Sequence, residues 1–301
     1  MPEPYGDGDL MNALPTWLRE EIRAAKKGVG QDSIQKTHRQ LSDLKIPTVC
    51  ESARCPNCGE CFSAGMATFL ILGEFCTRRC AFCAVRHDQS PRPPAPDEPE
   101  RLARAVATLG LSHVVITSVT RDDLADGGAG HYGRVVGALR RSCPGVTVEL
   151  LVPDFQGDEA ALAKVLQAKP DVLAHNLETV PRLYATVRSG ASYAGSLQLL
   201  STAKRRAPEI ISKSGLMLGL GERQDEIETV LADLLAVGCD VLTLGQYLSP
   251  SLGHAPVARY VTKDEFGQWR AKALDMGFRQ VVAGPLVRSS YRAAHFFGNL
   301  S

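Results

Sequence analysis

The chain has 301 residues, 44% of them apolar, and its 34 basic and 33 acidic side chains leave a net charge of only +1. That length buries a large core, with one main domain as the default, while so even a balance argues against a broad basic face and against nucleic acid as a partner. No apolar run approaches the roughly 18 residues that a membrane span requires, and the start, MPEPYGDGDLMNALPTWLREEIRAAKKG, mixes acidic with basic residues and reads as neither an export signal nor a transit peptide, so we expect no membrane partner and a cytoplasmic location.

In chain order, residues 1–67 form an extension with one helical stretch and a first group of cysteines. From Thr68 onward, short apolar runs alternate with helix-like segments. ATFLILGEF, SHVVITSVT, VTVELLVPDF, DVLAHNLE, ISKSGLMLGLG, CDVLTLGQYL and RQVVAGPLV read as strands of a parallel sheet. DEPERLARAVATLG, HYGRVVGALRRS, GDEAALAKVLQAK, SYAGSLQLLSTAKRRA, QDEIETVLADLLAVG and TKDEFGQWRAKALDMG read as the helices between them. About six such units between Thr68 and Gly284 fall short of the eight of a closed barrel, so the expected fold class is α/β, a partial (β/α)6 TIM-type barrel with extensions at both ends. Pro91 to Pro99 is a proline-rich connector, and residues 285–301 form a short tail.

Seven of the nine cysteines fall between Cys50 and Cys83. Confinement to one stretch of a long chain without an export signal points away from disulfides and toward metal ligation in a reducing compartment. Zinc is one candidate, because CPNC and AFC close C-x2-C pairs, but a zinc ribbon would leave Cys50 and Cys76 surplus. A ferredoxin-like electron carrier is another, although such carriers surround each cluster with four thiolates. Cys76, Cys80 and Cys83, spaced C-x3-C-x2-C, supply three thiolates to a four-iron cluster and leave one iron open for chemistry. Cys143 and Cys239 stand alone and read as small buried hydrophobes.

At CTRRCAFC the chain resembles the radical S-adenosylmethionine superfamily, which places this motif after the first barrel strand with an aromatic residue, here Phe82, before the third cysteine. The resemblance narrows to the lipoyl synthase family: CESARCPNCGECF is similar to its C-x4-C-x5-C motif, VRSSYRA to its C-terminal RSSY motif, and TSVTRDDLADGGA, ELLVPDF, AHNLETVPRLY and GLMLGLGE extend the match from about residue 15 to the end. It implies two 4Fe-4S clusters and S-adenosylmethionine as cofactors. Cys76, Cys80 and Cys83 would hold the radical-generating cluster. Cys50, Cys55 and Cys61 would hold an auxiliary one, with Ser290 as fourth ligand and Ser289 as the alternative. Cys58, where family members carry an apolar residue, is taken as a bystander rather than as a ligand of a damaged cluster or a replacement for the serine.

The implied activity is that of a sulfurtransferase. Radicals made from S-adenosylmethionine activate carbons 6 and 8 of an octanoyl-lysine on a lipoyl-carrier protein or domain, and the auxiliary cluster donates two sulfur atoms. An unactivated C–H bond is beyond side-chain acids and bases, so a cofactor must carry that step. The resemblance also implies cofactor contacts at Phe82, Ser118, Arg121, Asp122, Asn176, Glu178, Gly219 and Glu222. Arg121 to Gly128 reads alternatively as a glycine-rich turn capping a helix. His175 reads either as part of that site or as a core histidine, and Lys213 and Arg288 as solvated charges. A low-potential electron donor and a cluster-repair system are further implied partners. Arg78, Arg79, Arg86 and Arg92 are expected to form a basic patch for an acidic carrier. Alternative functions are a sulfur-insertion enzyme of the biotin synthase type and a non-catalytic electron-transfer protein.

Overall fold

The structure, a computed structural model, describes residues 14–26, 31–53, 55–63, 66–291 and 293. The start of the chain and most of the tail beyond Tyr291 lie outside the described residues.

Seven strands form one parallel sheet: β1 (Thr68–Ile71), β4 (His113–Ser118), β5 (Thr147–Leu151), β6 (Val172–Ala174), β7 (Ile211–Leu218), β8 (Val241–Gln246) and β9 (Gln280–Gly284), in that spatial order. Two-residue strands β2 (Phe75–Cys76) and β3 (Arg86–His87) pair separately. All seven strands expected from sequence are present. Their runs are apolar almost throughout, as in TFLI and VLTLGQ, because helices cover one face and the barrel interior the other.

The covering helices follow the expected punctuation. The helix Glu98–Leu109 carries Pro99 in its first turn, where the missing N–H costs nothing, and ends at left-handed Gly110. The proline-rich connector is therefore shorter than expected. Ser192 caps the helix Tyr193–Arg206, and Thr262 with Glu265 closes a capping box on the helix Lys263–Met276. Helices at Ala129–Ser142, Glu159–Gln167 and Gln224–Ala236 complete the layer.

Strands β1 and β9 are the two edges and do not pair with each other, so the barrel is partial, as the sequence led us to expect. The extension lies along the β1 edge: Thr48 bridges Phe69 in antiparallel sense, and Leu70 N–H donates to Pro47 O. Its described residues hold four helices, Thr16–Lys26, Gln31–Asp43, Val49–Ser52 and Cys58–Ser63, where one helical stretch was expected. The two that carry cysteines are barely a turn long, too short to show a period. The two ends of the chain are latched together. Asn57 Nδ2 donates to Leu286 O at 2.6 Å, and the Tyr291 hydroxyl lies 3.2 Å from both Glu60 carboxylate oxygens.

Candidate active site

The loop carrying Cys76, Cys80 and Cys83 leaves β1 through a forced turn. Leu72, a non-glycine residue at φ 68°, is followed by Gly73 at φ 93°. Such backbone persists only where its surroundings over-determine it. Leu72 N–H donates to Glu98 Oε2 at 2.9 Å, which also meets His131 Nε2 at 2.6 Å, and Leu72 O accepts from Arg121 Nη1 at 2.9 Å. Arg121, 1% exposed, also grips Asp123 through two hydrogen bonds of 2.8 and 2.7 Å. It is thus directed at this turn, and it lines neither of the two cavities described below.

Arg78, between Cys76 and Cys80, makes paired hydrogen bonds to both Asp122 (2.7 and 2.9 Å) and Asp154 (2.7 and 2.7 Å). These carboxylates follow β4 and β5, so the cysteine loop is tied to two strand ends. Far from facing a carrier, Arg78 is 11% exposed and neutralised. Of the expected basic patch, Arg79, Arg86 and Arg92 remain exposed, and Arg86 lies over the Phe75 ring. From the loop after β8, Ala255 N–H donates to Ala81 O at 2.8 Å and His254 Nε2 lies 3.2 Å from Cys83 O.

A cavity of about 340 Å3 opens at the C-terminal ends of the strands, where barrel enzymes place their chemistry. Its wall includes Cys76, Cys80 and Cys83, and also Cys50, Cys55, Ser289 and Ser290. Phe82, Ser118, Asn176 and Glu178 line it too, while Asp122, Gly219 and Glu222 do not. Glu222 is spent on backbone, accepting from Gly219 N–H at 2.6 Å and Leu220 N–H at 2.9 Å. The stretch Arg121 to Gly128 behaves as a capping turn: Gly127 and Gly128 have positive φ, and Asp126 accepts from Gly128 and Gly130 N–H ahead of the helix.

Asn176 donates to Glu178 at 3.0 Å, while its buried Oδ1 has no hydrogen-bond partner among the described residues. Burial pushes the Glu178 carboxyl above its usual range against the opposing pull of the Arg188 cation. Arg188, not foreseen from sequence, reaches the cavity wall and is held by the Tyr184 and Ser196 hydroxyls at 2.9 and 3.1 Å. Only its distance in the fold, not its spacing, links it to Glu178. Gly215 is a packing requirement: a Cβ there would lie 2.4 Å from Thr243 Oγ1 and 3.1 Å from Asn176 Oδ1, so only glycine lets these two side chains close over β7.

His175 is a core residue. It lies 2.8 Å from Val152 O and 2.9 Å from Ser196 Oγ, and burial, with Arg188 close by, lowers its pKa to about 4. Lys213 is not solvated: its side chain is 8% exposed and pairs with Glu149 at 2.7 Å inside the barrel, with His113 3.3 Å from the other carboxylate oxygen. Burial raises the Glu149 pKa, but Lys213 and His113 outweigh it and leave the carboxyl below its usual range. Arg288 is likewise drawn in, lining the large cavity and a smaller one beside it.

That smaller cavity, about 40 Å3, is lined by Cys50, Cys55 and Cys61 together with Thr68, Arg288, Ser290 and Tyr291. Ser290 borders both cavities and Ser289 only the larger. Cys58 borders neither and packs against the main core. Burial pushes the Cys50 thiol up to about 12, Cys80 to about 11 and Cys83 to about 12, so metal must displace their protons. Among the described residues no cysteine is joined to another by a disulfide. Among the described residues, no three His, Cys, Asp or Glu side chains gather tightly enough for a single metal ion. A tetrahedral zinc needs such a tight set, whereas a four-iron cluster spreads its thiolates wider. With three thiols around a cavity that also offers an unpartnered acceptor at Asn176, the residues fit a cluster with an adjoining polar ligand. Cys239 is buried and Cys143 partly so, both packed in the core.

The sequence profile of the Radical SAM superfamily matches residues 70–234, more than half the chain. Among curated proteins, the lipoyl synthase of Trichlorobacter lovleyi is 58% identical over 288 residues, covering 94% of this chain and 98% of that one. The lipoyl synthase of Caldicellulosiruptor saccharolyticus is 50% identical over 284 residues, covering 94% and 97%. Among solved structures, HydG, a maturase of the [FeFe]-hydrogenase, aligns with a TM-score of 0.56 at 14% identity over 91% of this chain and 68% of that one. Methylornithine synthase (PylB) aligns at 0.51 with 13% identity over 91% and 84%. The solved structures speak for the partial barrel alone; identity at this level over nearly the whole chain does more, and places the chain in the lipoyl synthase family of the radical S-adenosylmethionine superfamily.

Proposed function

We propose that Cys76, Cys80 and Cys83 hold a 4Fe-4S cluster beside bound S-adenosylmethionine, and that Cys50, Cys55, Cys61 and Ser290 hold a second, auxiliary cluster. When bound, these groups supply hydrogen abstraction at carbons 6 and 8 of an octanoyl chain and the two sulfur atoms that take the place of those hydrogens. The observation that carries this is the single cavity bordered by members of both cysteine sets and by the serine motif. Two chemistries that must meet on one carbon need one enclosure.

The chain's own residues divide the rest of the work. Glu178 and Arg188 present an acidic and a cationic group side by side, suited to the amino and carboxylate groups of S-adenosylmethionine. Asn176 Oδ1 offers an acceptor to a hydroxyl or amino donor. Phe82 packs with Tyr247, Val187 and Leu220 and stiffens the wall next to Cys83. Leu70, Val119, Leu151 and Leu248 form an apolar side of the cavity that fits an octanoyl chain and excludes water. Arg121, Asp122, Gly219 and Glu222 serve by fixing the backbone around this wall rather than by touching the cofactor. Cys58 is not a ligand.

On this reading the chain divides into an extension (1–67), a barrel (68–284) and a tail (285–301). It works in the cytoplasm on an octanoylated lipoyl-carrier protein or lipoyl domain, with a low-potential electron donor and a system that rebuilds the auxiliary cluster. Anaerobic reconstitution tests the core of it. The expected outcome is about eight irons per chain, cleavage of S-adenosylmethionine on reduction, and two sulfur atoms added to an octanoyl-lysine peptide. A chain that takes up only about four irons, or cleaves without transferring sulfur, would refute the two-cluster assignment.

A further inference from the structure

Thr68 opens β1 and is 5% exposed. Its hydroxyl donates to Ser290 Oγ at 2.8 Å across 222 residues of chain. Thr68, Cys50 and Ser290 all border both cavities, so this side chain lies in the wall between them. A threonine has a restricted χ1, which makes its hydroxyl a fixed point, whereas a serine hydroxyl is a free rotor unless something holds it. The backbone around Ser290 is already secured by the Tyr291 hydroxyl on Glu60 and by Tyr291 N–H on Arg288 O. What remains to be set is the direction of the Ser290 side chain, and Thr68 is the group that sets it.

We propose that Thr68 is a positioning residue for the auxiliary ligand set, holding the Ser290 hydroxyl in register with Cys50 so that the two ends of the chain present their ligands as one unit. The proposal rests on Ser290 being the fourth ligand. Thr68 donates nothing to the reacting atoms; it decides where a ligand from the tail meets ligands from the extension.

The test is the rate at which an iron chelator strips iron from the reconstituted full-length holoprotein, kept anaerobic and without S-adenosylmethionine. Ser290→Ala identifies the phase that belongs to the auxiliary cluster by accelerating it. Thr68→Val, nearly isosteric but without the hydroxyl, is expected to accelerate the same phase about three- to tenfold, the rate equivalent of one net hydrogen bond. Thr68→Ser, which keeps the hydroxyl but loses the restricted χ1, is expected to fall between wild type and Thr68→Val. The Ser290→Ala, Thr68→Val double variant is expected to strip no faster than Ser290→Ala alone. Thr68→Ala serves in place of the valine if that chain does not fold, and the melting temperature of the cluster-free protein monitors general damage. A Thr68→Val rate equal to wild type, with Ser290→Ala accelerated, overturns the proposal and leaves the ligand assignment standing. Additive acceleration in the double variant also overturns it, because Thr68 would then act independently of Ser290. No acceleration by Ser290→Ala removes the ligand assignment and this proposal with it.

Discussion

Arg78 and Asp154 are joined by two hydrogen bonds of 2.7 Å, and the same guanidinium is shared with Asp122. One planar cation therefore fixes the cysteine loop to the ends of two strands. Arg78→Met would leave two carboxylates facing each other without a counterion. We expect that chain to retain about four of about eight irons after reconstitution and to lose cleavage of S-adenosylmethionine. Arg78→Lys should fall between, because a point charge cannot fork to both acids. Full iron content in the methionine chain would show that the clamp is dispensable.

Cys58 and Cys61 are three residues apart in one short helix; Cys61 lines the smaller cavity, whereas Cys58 borders neither cavity and packs against the core, within electrostatic reach of Cys50, Cys55 and Cys61. Cys58→Ala is expected to keep its full iron content and its sulfur transfer. Cys61→Ala should lose about half the iron and all transfer while still cleaving S-adenosylmethionine. Iron analysis beside a product assay separates the two, and loss of transfer in Cys58→Ala would make Cys58 a participant.

Lys213 is committed to Glu149 deep in the barrel. Lys213→Met removes the cation and strands a buried carboxylate, a loss of about 3–5 kcal/mol for a pair of this kind. Replacing both, Lys213→Met with Glu149→Leu, should recover much of that loss. Denaturant unfolding of the cluster-free chains measures the difference; equal stability of the single variant and wild type would contradict the pairing.

His175 lies at the Arg188 guanidinium, with Nε2 to Nη2 3.4 Å, and with Val152 O, Ser196, Asp154 and Arg78 around it. Its folded pKa is about 4, against about 6.5 when unfolded. Between those values the unfolded chain binds the extra proton, so stability falls as pH drops from 6.5 toward 4 and is unaffected by this group above that window. In His175→Gln the pH dependence of unfolding free energy across the window should be shallower by one proton. Identical slopes would mean that the imidazole titrates normally.

Much of this was legible in the sequence because it is local. Each strand is a run of apolar residues, each cysteine triplet a fixed spacing, and Gly110 or Thr262 marks a helix end by its own chemistry. Most of the errors lie where a side chain meets a partner far along the chain; Glu222, turned onto the nearby Gly219 and Leu220 N–H groups, is the exception. Arg78 looked like a surface charge because Asp154 is 76 residues away. Lys213 looked solvated because its acid, Glu149, sits on another strand. Arg121 and Glu222 belong to stretches similar to cofactor-contacting motifs, yet they hold backbone at Leu72 and Gly219. Arg188 and Thr68 carried no local signal, since their roles arise from what the barrel sets beside them.

The latch between the two ends of the chain also imposes an order in time. A ribosome completes Cys50, Thr68 and the whole Cys76–Cys83 loop long before it reaches Ser290, 222 residues beyond Thr68. Domains generally fold as they emerge, so during synthesis the pocket between the extension and β1 stands open on the side that the tail will close. The radical loop needs Asp122, Asp154 and Arg188, all made earlier. Thr243, Tyr247, Leu248 and Val287, which also wall the large cavity, come in the same last stretch as Ser290, so both cavities would be closed together as synthesis ends.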